Sequence, residues 1–213
     1  MKRQIIYSLL STCLTFGAVP SHADEGVYVK ALAGLGQLAD SDFGSASLGN
    51  GEGEFELGFA AGAAAGYDFG RWRLEGELLY RTNTLERVSG TVFDGVDDGD
   101  FSSLGFGVNA LVDFNLLPNP KITSYAGMGV VWFQEIDMDF ETGAGEFSYS
   151  GDDTALQFML GSRYQLNPRL AVYAEVRQLV ADGIELEGEG LSVGTLEADY
   201  SRTEFVLGLG YRF

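Results

Sequence analysis

Cysteine and histidine are almost missing from this sequence: there is one of each among 213 residues. Both, Cys13 and His22, fall inside the opening stretch "MKRQIIYSLLSTCLTFGAVPSHA". That stretch has a basic start at Lys2 and Arg3, an apolar middle and a Ser-x-Ala ending at Ser21 and Ala23, the features of a secretory leader. Its apolar run is short for a membrane anchor, and Cys13 follows a threonine with too little apolar sequence before it to carry a lipid. Residues 1–23 are therefore expected to be cleaved, leaving one domain over 24–213. The remaining chain has no intramolecular disulfide available. It also lacks the commonest general base and the commonest transition-metal ligand. Most hydrolase and metalloenzyme readings fall away, and no enzyme activity, metal or cofactor is expected.

Basic residues are the next shortage. The chain has 13 Lys and Arg against 31 Asp and Glu, and losing Lys2 and Arg3 with the leader leaves 11 against 31, a net charge of −20. Nucleic-acid binding neutralises phosphates with cations, so nucleic-acid partners are set aside. Long apolar runs are absent too. After the leader, nothing approaches the ~20 residues of a membrane helix. Only four prolines accompany 30 glycines, and with 10 Tyr and 15 Phe the composition argues for a folded, β-rich chain rather than a disordered one.

What the sequence does have is alternation. Apolar side chains recur at period two, which is the mark of a strand with one apolar face. Eight such segments follow one another: Val27–Leu35, Glu54–Tyr67, Trp72–Arg81, Leu104–Phe114, Ile122–Phe133, Leu156–Gln165, Leu170–Arg177 and Arg202–Phe213. In the second, Phe55, Leu57, Phe59, Ala61, Ala63, Ala65 and Tyr67 form the apolar parity. In the last it is Phe205, Leu207, Leu209, Tyr211 and Phe213. The fifth is ambiguous, and Ala126, Met128, Val130 and Trp132 are assigned to its apolar face.

Connections alternate as well. Short turns ("DFGR", "NLLPNPK", "LNPR") follow the second, fourth and sixth segments. Long loops at 39–53, 83–101, 134–153 and 181–199 follow the others and exceed ordinary hairpin loops. This is the rhythm of an up-and-down barrel with unequal rims. A soluble barrel would turn its apolar parity inward. Here the second parity combines charge with glycine, which makes no dry core but suits a narrow lumen, so the apolar parity is expected to face hydrocarbon. A bilayer accepts strands only when closure pairs every backbone group. The expected fold is all-β, an eight-stranded antiparallel up-and-down transmembrane β-barrel.

The inward parity places a charge network in the lumen: Lys30, Glu54, Glu56, Arg73, Glu75, Glu77, Arg81, Asp113, Arg163, Glu175, Arg177, Arg202 and Glu204. A lumen just wide enough for side chains would be plugged by such pairs, with a gated pore as the alternative. Tyr67, Trp72, Phe114, Tyr164, Tyr211 and Phe213, at short-turn ends, are expected as interface aromatics. Inward glycines, Gly58, Gly62 and Gly66 among them, are expected to make room for long neighbouring side chains.

The leader, "EGVYVKALAGLG", "YQLNPRLAVYAEVR" and the terminal "LGLGYRF" resemble the OmpA-like and opacity-type outer-membrane β-barrels of Gram-negative bacteria, over essentially all of 24–213. The resemblance implies an outer-membrane location with both termini periplasmic. It also implies contact with outer-membrane lipid and lipopolysaccharide, and recognition by the barrel-assembly machinery through the C-terminal strand. It speaks weakly to function, because such barrels serve as adhesins, structural proteins, binders of complement regulators and small pores. Most acidic residues sit in the four long loops, where function would lie. A solvated acidic surface is preferred there over calcium or magnesium binding, since "DGVDDGD" lacks the spacing of a calcium loop. A surface-exposed structural or adhesin-type protein with a host-surface ligand is the first expectation. A small ion-conducting pore is the second, and a carboxylate-only enzyme the third.

Overall fold

The computed structural model describes residues 25–39, 41–45, 49–90, 98–142, 145–189 and 195–213. The expected leader lies outside them. Ten strands follow in order: β1 (Gly26–Leu38), β2 (Ser41–Ser45), β3 (Gly49–Phe55), β4 (Gly58–Asp68), β5 (Trp72–Gly90), β6 (Asp98–Phe114), β7 (Ile122–Thr142), β8 (Gly145–Gln165), β9 (Leu170–Glu189) and β10 (Thr195–Arg212). All pairings are antiparallel, and β1 pairs with both β4 and β10, so the sheet closes on itself.

The ten elements amount to eight barrel strands. β1 runs beside β10 as far as Leu38 opposite Arg202, and β2 resumes beside the same strand at Phe43 opposite Ala198. β3 and β4 likewise lie in succession along β5. Two strands are thus interrupted, not added. Interruption at Glu56–Leu57 has a cost for parity: Phe55 is buried, Glu56 and Leu57 are both exposed, and Gly58 is buried again. Phe55 had been expected on the lipid face; the irregularity between Glu54 and Phe55 in the pairing with β5 turns it inward, as a bulge does when it opposes two residues to one.

The strands also continue far into the segments expected as loops. β7 and β8 pair out to Thr142 opposite Gly145. At ~3.3 Å per residue and a tilt of ~40°, this carries the hairpin about 25 Å past Trp132.

Outward residues from the short-turn rim to mid-barrel form an apolar belt. Val27, Leu35, Leu74, Leu78, Leu160, Leu207 and Leu209 are all exposed, and Val27 to Leu35 covers about 20 Å of height on the same geometry. The belt ends where outward positions turn polar: Thr203 Oγ1 donates to Gln178 Oε1 at 2.6 Å, and Gln178 Nε2 donates to Ser201 Oγ at 3.1 Å.

Inside, two of the large tyrosines lie over inward glycines across the ladder. Tyr28 is opposite Gly66 and Tyr125 opposite Gly161; a Cβ on either glycine would sit 2.7 Å or less from the tyrosine hydroxyl oxygen. Past the belt the interior changes character. Leu38, Phe55, Phe101, Phe133, Ile136, Tyr149, Leu179, Ile184 and Tyr200 form one buried cluster. Irregularities in the pairing gather at this junction, at Leu104/Gly105, Phe133/Ile136, Ser150/Leu156 and Ala198/Tyr200.

Candidate functional site

The belt's interior is a column of ion pairs set by period two on seven strands. Nearest the short turns, Arg73 Nη2 lies 2.8 Å from Asp113 Oδ1. Arg163 bridges Asp68 at 3.0 Å and Asp113 at 3.3 Å, and Arg212 also holds Asp68. The Arg73 guanidinium stacks over Tyr125 at 4.3 Å.

At mid-belt Lys30 Nζ sits between Glu75 at 2.8 Å and Glu175 at 3.1 Å. Tyr28 donates to Glu75 at 2.8 Å and Tyr125 to Glu175 at 2.6 Å. Arg177 joins Glu175 to Glu77, the latter at 2.9 Å. Gln157 Nε2 then donates to Glu77 at 2.8 Å and to Asn109 at 3.0 Å. Highest in the column, Glu204 accepts from Arg81 at 2.9 Å and Arg202 at 2.7 Å, and Arg202 reaches Asn83.

The structure places eleven of the thirteen expected network residues in this column: Lys30, Arg73, Glu75, Glu77, Arg81, Asp113, Arg163, Glu175, Arg177, Arg202 and Glu204 are all buried. Glu56 is a correction. It is exposed, because the interruption of the strand turns it out. The side chain of Glu54 lies outside the described residues. Asp68 was read as part of a turn, yet it is fully buried and adds an anion to the column. Its parity with Gly66 and Ala64 was the available signal. With Asp68, the buried charges among the described residues are six cations and six anions. Balance of this kind is what a low-dielectric lumen demands, since a buried charge without a partner is strongly destabilising. Uncharged Tyr28, Asn109, Tyr125 and Gln157, on the inward parity, join the network by hydrogen bonds, as does Asn83, which had been assigned to a loop.

Above the column the apolar cluster fills the interior. Phe101, Phe133 and Tyr200 meet ring to ring, with centroids 6.1 Å and 5.4 Å apart. Burial pushes the Tyr200 hydroxyl up to about 12, so it adds no charge to this core at physiological pH. Outside that core two exposed carboxylates, Asp100 and Asp139, lie opposite one another across the ladder. No group of His, Cys, Asp and Glu placed to hold a metal is found among the described residues.

Of the expected interface aromatics, Trp72 and Phe213 are 58% and 76% exposed at the short-turn rim. Tyr67 and Tyr164 are also exposed, while Phe114 and Tyr211 are half-buried. Phe69, not foreseen, packs on Tyr67 with ring centroids 4.5 Å apart. Trp132 stacks with Phe106 at 6.2 Å on the other side of the belt.

Residues 9–213 match the outer membrane protein beta-barrel domain. The chain belongs to this family. It is an outer-membrane protein that crosses the bilayer with its strands. Solved structures agree in fold. OprG of Pseudomonas aeruginosa superposes with a TM-score of 0.66 at 17% identity, covering 88% of this chain and 96% of that one. Neisserial surface protein A gives 0.54 at 18% identity, covering 89% and 99%. AlkL, solved in lipid bilayers, gives 0.51 at 16% identity, covering 93% and 95%. No curated protein sequence matches the chain.

Proposed function

We propose that this barrel is a closed, non-conducting surface protein whose long hairpins present an acidic contact face to host molecules or neighbouring envelope components. The reading involves no catalysis. In it both termini and the short turns are periplasmic and the long hairpins extend outward, in contact with lipopolysaccharide, while the C-terminal strand serves recognition by the assembly machinery. One observation carries it. The interior holds twelve buried charges joined in pairs, with the apolar cluster packed above them. This filling supports reading the long hairpins, not the bore, as the part that acts.

A small ion-conducting pore is the second reading. Its support is that Arg73 Nη1, Glu75 Oε1, Arg81 Nη1, Asn109 Nδ2 and Glu204 Oε2 are buried without a hydrogen-bond partner, which leaves the column places for water. Refolded barrel in planar bilayers separates the two. The surface-protein reading expects no stable conductance, together with binding to host matrix or serum proteins that is lost when the hairpins are trimmed. Steady large conductance that changes with Arg81→Gln would replace it by the pore.

A further inference from the structure

The lipid face is not uniformly convex. On its short-turn half, β7 to β10 line an open groove of about 310 Å³, at the lower end of the ~300–1,000 Å³ range of ligand sites. Ser124, Ser162 and Ala174 form its floor, Leu160 and Phe205 its walls, and Leu116 reaches over it from the turn between β6 and β7. The floor is a continuous row, since Ser124 is opposite Ser162 and Ser162 opposite Ala174.

Two observations say what fills it. The first is polarity. Ser124 is only 6% exposed, and its Oγ lies 3.5 Å from that of Ser162. One mutual bond uses one hydroxyl proton and leaves the other available to an acceptor in the groove. The second is charge. Lys121 stands at the foot of β7 and Arg169 at the foot of β9, both exposed. Among the described residues no ion pair is found for Lys121 or Arg169, and Arg169 Nη1 lies 3.4 Å from the Tyr211 hydroxyl. Arg71, in the turn between β4 and β5, is a third exposed cation on this rim. The rim thus carries cations above an apolar slot, whereas the opposite end is acidic. A molecule with two oily chains, ester carbonyls and an anionic headgroup matches all three features.

We propose that this groove seats one anionic phospholipid of the periplasmic leaflet. An acyl chain lies along the Ser124–Ser162–Ala174 floor beneath Leu116, an ester carbonyl accepts from the serine pair, and the phosphate sits by Lys121 and Arg169.

Native mass spectrometry of the full barrel, released from mixed phosphatidylglycerol and phosphatidylcholine micelles, tests this. The expected result is a single retained phosphatidylglycerol, favoured over phosphatidylcholine by about ten-fold for two surface cations. Ser162→Leu with Ala174→Leu fills the slot and is expected to abolish retention, with heat-resistant gel mobility reporting that the barrel still folds. Lys121→Gln with Arg169→Gln, outside the strands, is expected to bring the two lipids to parity even if the first variant does not fold. Equal retention of both lipids by the unaltered barrel would overturn the proposal. So would retention unchanged in the filled-groove variant, or a dimer lost on filling the groove, which would make the occupant a second copy.

Discussion

The belt section and the hairpin section share the same eight strands, yet their polarity is opposite. In the belt, Leu78 and Leu209 face out while Glu77 and Arg177 face in. In the hairpin section Asp100 and Asp139 face out while Phe101 and Ile136 face in. Solvent is the whole difference. Hydrocarbon around the belt rewards an apolar exterior and relegates charge to the bore, where each ion needs a partner. Water around the hairpins restores the ordinary arrangement of a dry interior and a solvated surface. The irregularities at Leu104/Gly105 and Phe133/Ile136 mark where one regime hands over to the other. One barrel interior is therefore built from two unrelated chemistries in series.

Substitutions that exchange the two regimes test this contrast. The largest effect is expected in the belt interior: Arg177→Met leaves Glu77 and Glu175 with too little countercharge and should cost about 3–5 kcal/mol, measured as a shift in urea unfolding from lipid vesicles. Replacing Arg177, Glu77 and Glu175 together by apolar residues of similar volume should recover most of that loss. On the belt exterior, Leu209→Arg should cost about 2–4 kcal/mol near mid-bilayer. The same change at Thr84, exposed past the belt, should stay within about 0.5 kcal/mol in the same assay; equal costs at the two sites would erase the distinction. In the hairpin core Ile136→Val should cost about 0.5–1.5 kcal/mol and leave the belt's resistance to heat in detergent untouched. The smallest effect has the opposite sign. Asp139→Asn relieves its repulsion with Asp100 and should stabilise the hairpin section by about 0.2–1 kcal/mol, an advantage that shrinks as salt is raised.

Much of the belt was legible in advance because lipid imposes a strict two-residue rhythm: a slip of one position would put Arg163 or Glu175 into hydrocarbon. That rhythm is enough to assign Lys30 or Arg202 to the bore. It failed at Phe55 to Leu57, where an interruption breaks the count, and it overlooked Asp68, which looks like a turn residue until Arg163 and Arg212 are seen around it. The hairpin section was harder. Glycine and carboxylates such as those of "ETGAGEFSYSGDD" signal loops by composition, and only pairing between β7 and β8 shows that they continue the sheet. Its core draws on residues as far apart as Leu38, Phe101 and Ile184, and no local pattern connects them.

By itself the sequence determined a closed eight-stranded barrel and which parity meets lipid, because both follow from hydrogen-bond satisfaction and alternation along single strands. Tertiary structure decided which acid meets which base, where the bore turns from ionic to apolar, and that a groove opens beside Ser124. Those depend on the stagger between neighbouring strands, a quantity that exists only once the sheet has closed.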